Sequence, residues 1–228
     1  WEAAAAGLGE AANHAETSSL RAALLEEQAG ILEARLDGLA EAEKVHQRLR
    51  VVDPRSLAAL SFFRRFYRHN PGGRHPYTNL AQLHAALDGP ELAAERVDVA
   101  TEMAGLAEGT LESPDKAIEA WRRVLQDAPG DEEAREALRR LLGATERWHA
   151  LADHLETWVR LLPDEATDRR VELLFELIGL YQSPDRLPME DLVVQTYQRI
   201  VALSPTDLRA LDGLAERYED RERWRDLV

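Results

Sequence analysis

An internal repeat of about 75 residues constrains this chain more than any other feature, because a recurring unit that stacks on its own copies dictates the architecture. The blocks HQRLRVVDP (His46 to Pro54), WRRVLQDAP (Trp121 to Pro129) and YQRIVALSP (Tyr197 to Pro205) follow one another at spacings of 75 and 76 residues. Each places an aromatic ring or His eight residues before a proline. Gly30, Gly105 and Gly179 repeat upstream at spacings of 75 and 74, each inside an apolar helical pattern. Trp148 and Trp224 lie 19 residues beyond Pro129 and Pro205, and Trp1, Ala4 and Leu8 match Trp148, Leu151 and Leu155. The first copy differs, with Tyr77 in the place of the Trp and displaced by the insert Asn70-Pro71-Gly72-Gly73. The expected double-repeat units are about 1–76, 77–147 and 148–223, and the chain reads as a fragment of a longer array.

Proline divides each unit again. Pro54, Pro90, Pro129, Pro163 and Pro205 each follow an apolar helical run and precede a polar or acidic cluster. Proline is accepted in the first turn of a helix, excluded from its interior, and turns the residue before it away from helix. Each therefore ends one helix and admits the next. Asp131, Asp164 and Asp207 are expected at the following helix starts, where free N–H groups favour a carboxylate. Apolar residues recur at three- and four-residue spacing, as in Val171, Leu174, Leu177, Ile178 and Tyr181, or Leu208, Leu211, Leu214 and Tyr218. No β alternation competes. The expectation is an all-α array of about a dozen helices of 12 to 17 residues, packed as antiparallel pairs.

This pattern resembles the tetratricopeptide repeat (TPR), and among its members the long arrays of GC-rich bacteria such as myxobacteria. Gly30, Ala42, His46, Leu49 and Pro54 fit one repeat, and Gly105, Ala117, Trp121, Val124 and Pro129 another. Gly179, Val193, Tyr197, Ile200 and Pro205 fit a third. The Gly positions are read as the close approach of paired helices. Arg64 and Arg139 stand where a small residue is expected. The resemblance implies an α-solenoid with a right-handed superhelix whose inner groove, lined by the first helix of each pair, holds a peptide or protein.

Projected onto that groove, the odd repeats offer Leu24, Glu27 and Ile31, then Val99, Glu102 and Leu106, then Leu173, Glu176 and Leu180. Glu27, Glu102 and Glu176 suit a partner carrying Lys or Arg among apolar anchors. Members that grip a peptide's terminal carboxylate use Lys, Arg and Asn there, so this sequence does not fit that mode. The other candidate is residues 54 to 87, which hold Arg55, Arg64, Arg65, Arg68 and Arg74 and no acidic residue in a chain of net charge −14. Arg64, Arg65 and Arg68 lie within helical reach of Phe62, Phe63, Phe66 and Tyr67, a mixture suited to an acidic peptide, a phosphate or a single strand of nucleic acid. The competing expectation puts Phe63 and Tyr67 in the core and the Arg heads on acids such as Glu91 and Glu95. Trp1, Trp148 and Trp224 are expected to be core anchors.

Composition narrows the chemistry. With no Cys, the chain has no disulfide, thiol nucleophile or thiolate metal site. An excess of Asp and Glu, 42 against 28 Lys plus Arg, disfavours nucleic acid as a partner. His149, Asp153 and His154 lack a third ligand at suggestive spacing, so no metal or cofactor is expected, and the Gly-Gly loop lacks the Lys-Ser/Thr of a phosphate-binding loop. No catalytic motif emerges, and no apolar run spans a bilayer. The sequence thus leads to a non-catalytic, cytoplasmic scaffold for a protein or peptide partner. The alternatives are a structural element that self-associates through its open repeat ends, and an array regulating an enzyme elsewhere in a longer chain.

Overall fold

A computed structural model describes residues 1–36, 38–69 and 76–220. The chain forms two compact units, Trp1–Asp127 and Ala128–Val228. The first holds α1 (Glu2–His14), α2 (Ser18–Arg35), α3 (Leu39–Val52), α4 (Leu57–His69), α5 (Pro76–Ala86), α6 (Ala93–Gly109) and α7 (Pro114–Asp127), with a short 3₁₀ turn at Pro90–Leu92. The second holds α8 (Glu132–Ala144), α9 (Trp148–Leu161), α10 (Thr167–Tyr181), α11 (Glu190–Leu203) and α12 (Leu208–Asp220). No strand occurs among the described residues, and no helix there is long and apolar enough to cross a membrane. Within each unit every helix packs on the next in sequence. The pairs α2/α3, α4/α5 and α6/α7 fill the first unit, and α8/α9 and α10/α11 lead to α12 in the second.

The prolines punctuate as expected, because Pro54, Pro129, Pro163 and Pro205 all lie in the connections between pairs. Asp131 caps α8, accepting from the Ala134 N–H at 2.8 Å, and Asp207 accepts from the Arg209 and Ala210 N–H groups. Asp164 does not cap α10; it pairs with Arg170 instead. The stripe Val171, Leu174, Leu177, Ile178 and Tyr181 is buried throughout. That of α12 is not: Leu208 is 70% exposed, and Ala210 and Tyr218 are the buried residues.

The tight helix crossings differ from the sequence expectation. Ala42, Ala117 and Val193 are fully buried on the second helices, as are Ala29 and Ala104 on the first. Gly30, Gly105 and Gly179, however, have open space where a Cβ would stand, so they do not mediate close approach. Gly213 does, since a Cβ there would collide with the Tyr197 ring.

Hydrogen bonds repeat with the sequence period. Trp121 Nε1 donates to Glu108 at 2.8 Å, His46 Nε2 meets Glu33 at 2.7 Å, and Gln182 donates to the Tyr197 hydroxyl at 3.4 Å. These three pairs occupy equivalent positions, tying the ring of each second helix to its first helix. Arg21, Arg96 and Arg170 also recur with the period. Each reaches back to carbonyls at the end of the preceding helix or just beyond it: Ala12 and Ala15, Leu87 and Gly89, and Leu162. The last carbonyls of a helix have no partner within it, and a cation there also complements the helix dipole. The Gly89 carbonyl additionally accepts from the Leu92 N–H of the 3₁₀ turn at 3.3 Å. Asn79 and His154 are likewise equivalent, bonding to the carbonyls of Leu60 and Arg135.

Candidate partner-binding site

The basic segment and the predicted groove acid meet in the first unit. Amphipathic α4 buries Phe62 and Phe63, which turns Arg64, Arg65 and Arg68 toward its polar side. Glu102, on α6, accepts from Arg64 Nε at 2.8 Å and from Arg68 Nε and Nη2 at 2.9 and 2.5 Å. Arg65 instead reaches Glu33 at 2.9 Å. The acids bonded to these arginines are thus Glu102 on α6 and Glu33 on α2, where the sequence suggested Glu91 and Glu95. Arg64 is mostly buried while Arg68 is about half exposed, with 17% and 53% of their side chains open to solvent. Burial raises the Glu102 pKa, but the hydrogen bonds from Arg68 and Arg64 outweigh it and hold the carboxyl below its usual range. Those contacts in turn raise the Arg68 pKa, its hydrogen bond to Glu102 being the largest cause.

Two cavities adjoin this triad. An open groove of about 720 Å³ has Ser61, Arg64, Arg65 and Arg68 on one wall and Glu95, Asp98, Thr101 and Glu102 on the other. A more enclosed cavity of about 280 Å³ lies where α4, α5, α6 and α7 come together at their connecting ends. Tyr67, Tyr77, Leu80, Leu106 and Leu111 form apolar walls there, and Arg64, Arg68, Glu102 and Lys116 are its charged residues. Lys116 lies over the Tyr77 ring, 5.2 Å from its centroid.

The other predicted residues are dispersed. Glu27 is exposed on α2, Glu176 lies on α10 in the second unit, and Arg74 falls outside the described residues. Glu176 receives Arg139 at 3.3 Å, which repeats the Arg64–Glu102 pairing one period later. Half of the apolar members of the expected groove stripe are core: Val99, Leu173 and Leu180 are 2% exposed or less, while Leu24, Ile31 and Leu106 are half-buried. The rings beside the arginines are mostly occupied as well. His46 stacks on Phe62, Phe62 on Phe66, and Phe63 on Tyr67, so they form a packed column rather than a platform for bases.

Trp1 and Trp148 are not the core anchors expected. Trp1 is 66% exposed with Arg35 over its ring, and Trp148 is half-buried with Arg186 above it. Trp224 lies outside the described residues. Trp1, Tyr77 and Trp148 are equivalent, and each is covered by a cation: Arg35 at the end of α2, Lys116 in the first turn of α7, and Arg186 in the connection between α10 and α11. His149 and Asp153 are exposed, and His154 bonds to the Arg135 carbonyl. Among the described residues no group of three or more His, Asp or Glu converges as a metal site.

No protein-family model matches the chain, and no curated protein matches it. Solved structures do resemble it. YrrB, described as a TPR protein with an unusual peptide-binding site, is 13% identical over 83% of this chain and 90% of its own, with a TM-score of 0.37. TTC0263, a thermophilic TPR protein of Thermus thermophilus, is 14% identical over 84% of this chain and 98% of its own, with a TM-score of 0.33. A chain of the Naa15/Naa10 assembly bound to HypK is 15% identical over 90% of this chain, with a TM-score of 0.44, and this chain spans 30% of its length. At these TM-scores the likeness carries nothing about ligands; the all-α helix-pair fold stands on the helix contacts themselves.

Proposed function

We propose that this chain is a non-catalytic scaffold that holds a segment of a partner protein along the α4–α6 face of its first unit. The observation that carries this reading is the Arg64–Glu102–Arg68 triad. Two cations share one carboxylate at the junction of an open groove and an apolar-walled cavity. Charged walls steer encounter and fix register, while the apolar recess supplies the anchoring area that such walls lack. Glu27, exposed on α2, and Arg74 are proposed as further contacts in the first unit, and Glu176 as a contact in the second.

Affinity capture from the native host's lysate tests the reading. Wild-type chain is compared with an Arg64→Glu, Arg65→Glu, Arg68→Glu variant of unchanged helical circular dichroism. The expected result is a partner retained by the wild type and lost by the variant. A partner held equally by both would move the contact to another face. Absence of any partner, together with mass growing with concentration in light scattering, would favour the self-associating structural role.

A further inference from the structure

We infer that the cavity at the connecting ends of α4 to α7 receives a bulky apolar side chain of the partner, and that an Asp or Glu beside that side chain takes the place of Glu102 on Arg68. This rests on the scaffold reading and names the chemistry of the segment bound. The cavity measures about 280 Å³. Sites for whole small molecules run from about 300 to 1,000 Å³, so this one suits a side chain or two. Its apolar walls retain exposed surface: Leu111 is 42% exposed, and Tyr67, Tyr77 and Leu106 are only half-buried.

Charge selects what accompanies the anchor. The ionised residues lining the cavity are Arg64, Arg68, Lys116 and Glu102, three cations to one carboxylate in a chain of net charge −14. A partner with an acidic group fits that excess, whereas a basic one would meet like charge with a single acid to answer it. Glu102 already displays the binding mode, taking both Nε and Nη2 of Arg68 in the two-point geometry that guanidinium offers carboxylates. It acts as an internal occupant of the carboxylate position. Arg68, half exposed, can pass from this carboxylate to an incoming one without unfolding its helix.

Selection of 12-residue peptides displayed on phage against the full chain tests this, followed by titration of a fluorescein-labelled winner into three variants. Selected peptides are expected to pair Asp or Glu with Phe, Trp or Leu. Arg68→Gln and Leu111→Asp should each weaken binding on the order of tenfold, and Glu102→Gln should tighten it several-fold by removing the internal competitor. Leu111 is exposed enough for its variant to keep the wild-type helicity. Peptides with no acidic preference, affinity indifferent to Leu111→Asp, weaker binding in Glu102→Gln, or no selected peptide would each overturn the inference. So would binding of a labelled single-stranded oligonucleotide that displaces the peptide. Lysate capture by the wild type alone would still uphold the scaffold in those cases, so the two failures are distinguishable.

Discussion

The same position on the repeat carries opposite charge logic in the two units. In the first, Arg64 and Arg68 converge on Glu102. In the second, Arg139 is shared between Glu136 at 2.7 Å and Glu176 at 3.3 Å, and Arg169 answers Glu136 and Glu172. One period apart, Ser61 corresponds to Glu136, Arg68 to Gly143, and Glu95 to Arg169. The apolar surroundings diverge in parallel: Tyr67 and Leu106 line a cavity, whereas Leu142 and Leu180 at the equivalent places are buried. A duplicated framework thus has one crossing closed by aliphatic packing and ion pairs in which two arginines meet three glutamates, and one whose cavity is left open with a cationic excess. The Arg–Glu bridge between successive first helices belongs to the repeat, while the cavity beside it belongs to one copy.

The largest test of the shared framework is Trp121→Ala. Trp121 is 5% exposed and bonded to Glu108, so its loss should cost on the order of 3 to 5 kcal/mol of the first unit's stability, read as a lower urea midpoint. An unmoved midpoint would break the alignment of the ring column. Next comes a contrast between glycines. Gly213→Ala should cost about 1 to 3 kcal/mol in the second unit, because its Cβ collides with Tyr197. Gly105→Ala, with open space and a helical backbone, should stabilise the first unit by about 0.5 to 1 kcal/mol. Equal signs would show that the two positions are packed alike.

Acid should weaken both crossings. Burial raises the Glu136 pKa, yet hydrogen bonding and charge from Arg139 and Arg169 bring it below its usual range, as the arginines do for Glu102. A carboxyl whose folded pKa is depressed adds stability above its unfolded pKa and loses it as pH falls through the folded one. Tm should therefore fall between about pH 5 and pH 3, and Glu102→Gln or Glu136→Gln should each flatten part of that slope. The smallest expected effect is that of Arg139→Met. About 1 kcal/mol or less should be lost at this partly exposed bridge, decreasing further in high salt.

Much of this was legible along the chain. The prolines marked the connections, since their missing N–H and fixed φ act locally whatever surrounds them. The ring eight residues before each proline fell in the core for Trp121 and Tyr197, and His46 joined them, because the spacing sets the helix face. Arg64, Arg68 and Glu102 were each visible as candidates. Their convergence was not, since the pairs are 38 and 34 residues apart and meet only once α6 lies beside α4. Arg21, Arg96 and Arg170 carried a readable signal in their spacing. Their task as caps depends on where the preceding helix ends in space.

What the sequence determined by itself was the set of helices, their punctuation and the period on which they pair, because these follow from local backbone chemistry and from the spacing of apolar residues along one helix. Tertiary structure decided which small residue sits at a crossing, which acid answers which arginine, and which copy keeps an open cavity. Periodicity names the face a residue occupies on its own helix. Only the position and rotation of the neighbouring helix determine whether that face meets a methyl group, a carboxylate or empty space.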